Sequence, residues 1–259
     1  MSDNRMNYSI DKQMQFPLVD IELEPGEKVF IQRGSMVYHS TSIKLNTKVN
    51  GTGSGIGKLI RAVGRSITSG ESFWITEAQA SRTTGKLAIA PALPGEVLPL
   101  KLGKEQYRIN DGKFLAMDGS ASYSMKKQSV GRAIFSGTGG FFVMTTSGEG
   151  TVLCNAYGSI KKITLNNDEI TIDNNHVVAW STKKITLNND EITIDNNHVV
   201  AWSTGLDYDI HFDNGFIQSI GTGEGIVNTF KGSGEVYIQS LNLETFAGIL
   251  DELIPGNEK

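Results

Sequence analysis

The stretch Val19-Asp20-Ile21-Glu22-Leu23-Glu24-Pro25-Gly26-Glu27-Lys28-Val29-Phe30-Ile31-Gln32-Arg33-Gly34 decides the fold class. Apolar and polar residues alternate from Val19 to Leu23, and a second run from Lys28 to Gln32 leads to Gly34. A period of two sends successive side chains to opposite faces, as a half-buried β-strand requires. Two such runs around Pro25-Gly26 read as a hairpin. The plan returns at Leu98-Pro99-Leu100-Lys101-Leu102, which turns at Gly103-Lys104, continues as Gln106-Tyr107-Arg108-Ile109 and reaches Asp111-Gly112. A third instance is Ile163-Thr164-Leu165, the turn Asn166-Asn167-Asp168, then Ile170-Thr171-Ile172 and Asp173-Asn174-Asn175. An apolar pair follows each: Met36-Val37, Phe114-Leu115 and Val177-Val178.

A second element also recurs, as Ser69-Gly70-Glu71-Ser72-Phe73-Trp74, Gly137-Thr138-Gly139-Gly140-Phe141-Phe142 and Thr222-Gly223-Glu224-Gly225-Ile226-Val227. Each precedes a further strand: Lys86 to Ala90, Gly150 to Cys154 and Gly234 to Ile238. The chain is therefore expected to be all-β, with three pseudo-repeated lobes over residues 14–94, 95–158 and 159–241 joined in one compact unit. Helix is expected only at 242–254. There Phe246, Ile249, Leu250 and Leu253 stand at helical spacing between Asn242 and Pro255-Gly256, and the helix is expected to cap one end of the β body.

One repeat is of another kind. Residues 161–182 and 183–204 are identical at every position, exposed turn residues included. Folding constraint does not preserve every side chain, so the identity marks a recent tandem duplication or a flaw in the sequence itself. Only one copy is needed for the third lobe. The spare hairpin is expected to extend a sheet edge, bulge outward or swap between chains.

At 259 residues, 39% of them apolar, the chain can bury a sizeable core, and its composition argues against intrinsic disorder. A net charge of −4 argues against a protein that coats nucleic acid. One cysteine, Cys154, excludes an internal disulfide framework and a cysteine-rich zinc site. The polar start Met1 to Tyr8 lacks the apolar core of a secretory signal, and no run approaches the roughly 20 apolar residues that span a bilayer. These features together point to the cytoplasm.

Pro25-Gly26-Glu27 with Gly34-Ser35-Met36-Val37, then Ser69-Gly70-Glu71-Ser72-Phe73, Gly223-Glu224-Gly225 and Tyr237-Ile238-Gln239-Ser240, resemble the mitochondrial biogenesis (altered inheritance of mitochondria) family. The similarity runs from about Phe16 to Leu250. It implies a double-stranded β-helix related to the tryptophan RNA-binding attenuation protein, with three such units in one chain. The duplicated segment departs from the family pattern. The resemblance brings no catalytic residues.

Motifs for chemistry are sparse. Gly51-Thr52-Gly53-Ser54-Gly55-Ile56-Gly57-Lys58 fails as a phosphate loop, because Thr52 and Leu59 stand where Gly and Ser or Thr are required. It reads as a connector. Beyond it, Lys58, Arg61 and Arg65 share one face of a notional helix, with Leu59, Ile60, Val63 and Ile67 on the other. Such a segment suits an anionic membrane surface or a partner protein. His39, His176, His198 and His211 form no His-x-His pair, so neither a metal nor another cofactor is expected. Glu71 and Glu224 recur through the repeat and need no acid–base role. No aromatic run flanks Lys126-Lys127, Lys161-Lys162 or the copy Lys183-Lys184, which weighs against RNA. The expected function is a non-enzymatic β scaffold that forms a homo-oligomer and contacts an unknown protein partner. Its rival is a binding module for an anionic membrane surface, RNA or a small ligand.

Overall fold

The alternating runs become strands. The computed structural model describes residues 6–11, 16–48, 75–110, 112–127, 142–165, 191–195, 201–204, 206–212, 226–231, 234–241 and 243–253. Within them the protein is all-β apart from one helix. The chain divides into two compact units, Met1–Asn155 and Ala156–Lys259.

The first unit opens with β1 (Asn7–Ile10), β2 (Val19–Leu23), β3 (Lys28–Gln32), β4 (Met36–His39), β5 (Ile43–Lys48), β6 (Ile75–Ala80) and β7 (Gly85–Ile89). It continues with β8 (Val97–Leu102), β9 (Tyr107–Asn110), β10 (Phe114–Asp118), β11 (Ser122–Lys127), β12 (Phe142–Ser147) and β13 (Gly150–Asn155). One sheet has the order β1-β2-β7-β4, and a second the order β5-β6-β3-β10-β13-β8. β12 pairs with β11 on one side and β9 on the other. Val19, Ile21 and Leu23 of β2 are buried while Asp20 and Glu22 face solvent, as the alternation predicts. The buried residues join Val29, Leu87 and Leu153 in one apolar cluster.

The expected hairpin at Pro25-Gly26 does not form. β2 pairs with β1 and β7, whereas β3 pairs with β6 and β10. The turn is tight, with Glu27 N–H donating to the Glu24 carbonyl at 2.9 Å and Gly26 at φ 88°. Pro followed by Gly at positive φ is the type II arrangement, which splays its flanking strands where hairpins need the mirror-image turns. The chain thus leaves one sheet and enters the next. The turn is held there by Gly26 N–H on the Ala80 carbonyl and Ala80 N–H on the Glu27 carbonyl, at 2.9 and 3.0 Å.

The two halves of this unit use the same pairings. β2 runs against β7 from Val19↔Ile89 to Leu23↔Gly85, and β8 against β13 from Val97↔Asn155 to Leu102↔Gly150. In each half a leucine faces a glycine at the strand end. A Cβ on Gly85 would collide with the Ile43 side chain, and one on Gly150 with Asp118, so both glycines answer to close approach. β3 then joins the halves by pairing with β10 through Ile31↔Ala116, Phe30↔Met117 and Val29↔Asp118.

The second unit holds β14 (Ile160–Leu165), β15 (Glu191–Asp195), β16 (Ala201–Ser203), β17 (Asp207–Phe212), β18 (Ile226–Lys231), β19 (Gly234–Gln239) and α1 (Leu243–Leu253). β14 runs against β19 from Ile160↔Gln239 to Leu165↔Gly234, again setting leucine against glycine. β18 lies between β15 and β17. The helix forms where its spacing predicts, but its apolar side is not covered as expected: Leu243, Phe246, Ile249 and Leu250 are all exposed. Helical spacing shows amphipathicity, not what the apolar face packs against. Phe246 meets the Tyr157 ring at 6.1 Å between centroids.

The β3–β10 join has a steric signature. Gly119 N–H donates to the Lys28 carbonyl at 3.1 Å, and a Cβ on Gly119 would overlap that same carbonyl. Backbone cannot yield as a flexible side chain can, so Gly119→Ala is expected to cost about 2 kcal/mol or more in urea unfolding. Gly248→Ala, in open space on α1, is expected to be neutral or stabilising.

Candidate functional site

The repeated pairing makes β4 and β10 equivalent, and their surroundings can be compared residue by residue. Each follows a turn with a glycine at positive φ, Gly34 at 80° and Gly112 at 74°. In each turn the next residue donates back across it: Ser35 N–H to the Gln32 carbonyl and Lys113 N–H to the Asn110 carbonyl, both at 3.2 Å. The carbonyls of Ser35 and Lys113 accept Ala90 N–H and Asn155 N–H, both at 2.8 Å. Each strand then carries a bulge at the same place. β4 pairs Met36↔Ile89 and Tyr38↔Ala88, skipping Val37; β10 pairs Phe114↔Cys154 and Ala116↔Leu153, skipping Leu115. A polar residue closes both strands. Ser40 Oγ accepts Lys86 N–H at 3.0 Å, and Asp118 Oδ2 accepts Thr151 N–H.

Their free sides differ. β10 is covered by β3 and every residue in it is buried. β4 ends its sheet, and every residue in it is exposed. Val37 and Tyr38 are 54% and 49% exposed, where Leu115 and Ala116 are fully buried. An edge strand offers unpaired backbone groups to any incoming strand, and proteins usually blunt such edges with Lys, Pro or a bulge. β4 has neither Lys nor Pro, and its bulge is one that β10 shares while remaining paired. The local side chains hold the edge in place: Tyr38 Oη donates to Asp20 Oδ1 at 2.6 Å, and His39 Nδ1 donates to the Ser40 carbonyl at 2.8 Å. The hydrogen bond to Asp20 raises the Tyr38 phenol above its ordinary range, with smaller contributions from desolvation and from the carboxylate charge.

Other candidates carry less. A cavity of about 120 Å³ beside the β3–β10 join is lined by Met6, Leu23, Glu27, Lys28 and Asp118. That is well below the roughly 300 Å³ at which small-molecule sites begin. Asp118 there has a structural task, since its Oδ1 accepts Met6 N–H and ties down the strand that begins at Asn7. Lys28 reaches Glu77 at 3.7 Å and lies 5.6 Å over the Phe30 ring. Cys154 is fully buried in β13, as a strand residue should be, and burial pushes its thiol far up, away from nucleophilic use. Among the described residues no three His, Cys, Asp or Glu side chains group as metal ligands. No helix among them is long and apolar enough to cross a membrane.

Lys58, Arg61 and Arg65 lie outside the described residues, as do Glu71, Glu224, His176 and His198. Of the remaining histidines, His39 lies on the open edge and His211 on β17. In sequence Met36-Val37 stands out only as an apolar pair after a turn. The signal was the contrast at equivalent positions, Met-Val-Tyr-His against Phe-Leu-Ala-Met.

The sequence pattern of the family described as Mitochondrial biogenesis AIM24 matches residues 8–183 and, again, 181–241. An uncharacterized protein of Streptococcus pyogenes serotype M6 is 57% identical over 255 residues, covering 98% of this chain and 94% of its own length. A crystal structure of a Streptococcus pyogenes protein is 54% identical and superposes with a TM-score of 0.75, covering 96% of this chain and all of that one.

Burial lowers the Lys113 ammonium to about 8 from an ordinary 10.5. Between those values the unfolded chain binds more protons than the folded one, so this group makes stability rise with pH from about 8 to 10.5. Lys113→Met is expected to stabilise the protein at pH 7, with the gain over wild type shrinking toward pH 10.5 in matched urea titrations.

Proposed function

The chain belongs to the mitochondrial biogenesis AIM24 family, and we propose that it works as a non-catalytic β scaffold that assembles with further copies of itself through the open edge of β4. One observation carries this reading. The strand equivalent to β4 is buried on all sides because β3 pairs along it, whereas β4 keeps the same bulge and turn with its outer side open.

Three repeated units, each folded as a double-stranded β-helix, make sense of this edge. The Leu–Gly strand ends at Leu23↔Gly85, Leu102↔Gly150 and Leu165↔Gly234 support a threefold repeat. So does the exchange of strands between sheets at the Pro25-Gly26 turn. In such an arrangement each β4-type strand receives a β3-type strand from a neighbouring repeat. In the second unit β15 holds the place of β3, because β18 stands between β15 and β17 as β6 stands between β3 and β5. We take the strand received at β4 to be β15 of a second copy. The addition is antiparallel, with the partner facing Tyr38, His39 and Ser40 as Ile31, Phe30 and Val29 face Ala116, Met117 and Asp118. Backbone hydrogen bonds supply affinity in this mode and side-chain fit supplies selectivity. The lone thiol of Cys154 is free, which suits a reducing cytoplasm.

Native mass spectrometry of the purified protein is expected to give an oligomer of integral subunit mass. Val37→Lys places a charge on the exposed edge and is expected to shift the population to monomer while leaving the thermal midpoint within a few degrees of wild type. A wild-type chain that stays monomeric at high concentration contradicts this reading, as does a Val37→Lys variant that assembles unchanged.

A further inference from the structure

The second unit combines a perfect sequence duplication with strands drawn from both copies. Residues 161–182 and 183–204 are identical. β14 takes its Lys-Lys-Ile-Thr-Leu from the first copy and pairs with β19 without a break from Ile160↔Gln239 to Leu165↔Gly234. β15 takes Glu-Ile-Thr-Ile-Asp from the second copy and pairs with β18 from Glu191↔Lys231 to Asp195↔Val227. β16, Ala201–Ser203, is also from the second copy. Every one of these segments has a twin: residues 183–187 for β14, 169–173 for β15 and 179–181 for β16.

We propose that the two copies are interchangeable in these sheets, so that the second unit exchanges between strand registers that differ by one whole copy. With β16 drawn from the same copy as β15, three arrangements keep the chain order. β14 from the first copy goes with β15 from the second, both strands come from the first copy, or both come from the second. Opposing residues are the same in all three except at one place, where Thr182 replaces Ile160 opposite Gln239. A one-residue slip is normally forbidden because it turns every side chain to the wrong face. A slip by one full copy returns each side chain to its own partner.

The arrangements differ in where the surplus copy is looped out: between β14 and β15, after β16, or before β14. Loop closure depends on the logarithm of loop length, about 0.6 kcal/mol per doubling, so no position of the surplus is strongly preferred. The family pattern supports the equivalence. Its first match, 8–183, ends where the first copy ends and its second, 181–241, begins where the second copy begins, so the match divides at the boundary between the copies.

The test uses substitutions that make the copies distinguishable. Ile163 stands opposite Val236, which is fully buried, and its twin is Ile185. Ile163→Asp and Ile185→Asp are each expected to lower the thermal midpoint by no more than a few degrees, because the other copy takes the place. The double variant is expected to unfold the β14–β19 sheet. If Ile163→Asp alone matches the double variant while Ile185→Asp is silent, one arrangement exists and the proposal fails. A silent double variant also overturns it, because the place would then not matter. Hydrogen exchange on Ile163→Val, a near-silent mass tag, gives a second reading. Intermediate protection of residues 161–165 and of 183–187 is expected, and full protection of the first with none of the second contradicts exchange. In a chain lacking residues 183–204 the choice is gone, and Ile163→Asp is expected to be as damaging as the double variant.

Discussion

The antiparallel ladder between Val29–Ile31 and Ala116–Asp118 is the interaction on which the first unit rests. It fuses two three-stranded sheets, β5-β6-β3 and β10-β13-β8, into one of six strands. Without it β3 and β10 would both be edges, and the apolar run Phe114-Leu115-Ala116-Met117 would face water along one side. The ladder demands close backbone approach at its end, which is why Gly119 has no room for a side chain against Lys28. Asp118, the last residue of the ladder, extends the order by accepting backbone N–H groups from Met6 and Thr151. A buried carboxylate satisfied in this way positions strands; removing its partners would leave a charge without compensation.

The same ladder defines what β4 lacks. Strands β4 and β10 share the preceding turn, the bulge and the closing polar residue, so their difference in burial does not arise from local conformation. It arises from the neighbour. The residues differ accordingly. Tyr38 stands where Ala116 is sealed beneath a neighbouring strand, and its hydroxyl is engaged by Asp20 on the rim of the sheet. Such a surface tolerates water yet retains an unpaired edge, which suits an association that forms after folding.

The strand plan was legible in the sequence because alternation at Val19–Leu23 and the glycine turns encode it locally. Pairing was not. Pro25-Gly26 signals a turn, but a type II turn sends its strands apart, and only the long-range partners Ala88 and Glu77 reveal which sheet each enters. In sequence Phe114-Leu115 is only an apolar pair after a turn, and the burial of β10 on both faces depends on β3, a strand distant in the chain. The helix at Leu243–Leu253 was legible from spacing, while its exposed Ile249 and Leu250 depend on packing that spacing does not encode. The open edge was written as a contrast between the two halves of the first unit, and it is visible only once the halves are aligned by their hydrogen bonds. The basic residues Lys58, Arg61 and Arg65 lie outside the described residues.

Hydrogen exchange at the β4 amides, followed as a function of protein concentration, tests assembly through this edge most directly. Protection of Tyr38, His39 and Ser40 that rises with concentration, while the β10 amides stay protected throughout, is the predicted result. Exchange at Tyr38 to Ser40 that does not change from dilute to concentrated protein would contradict it.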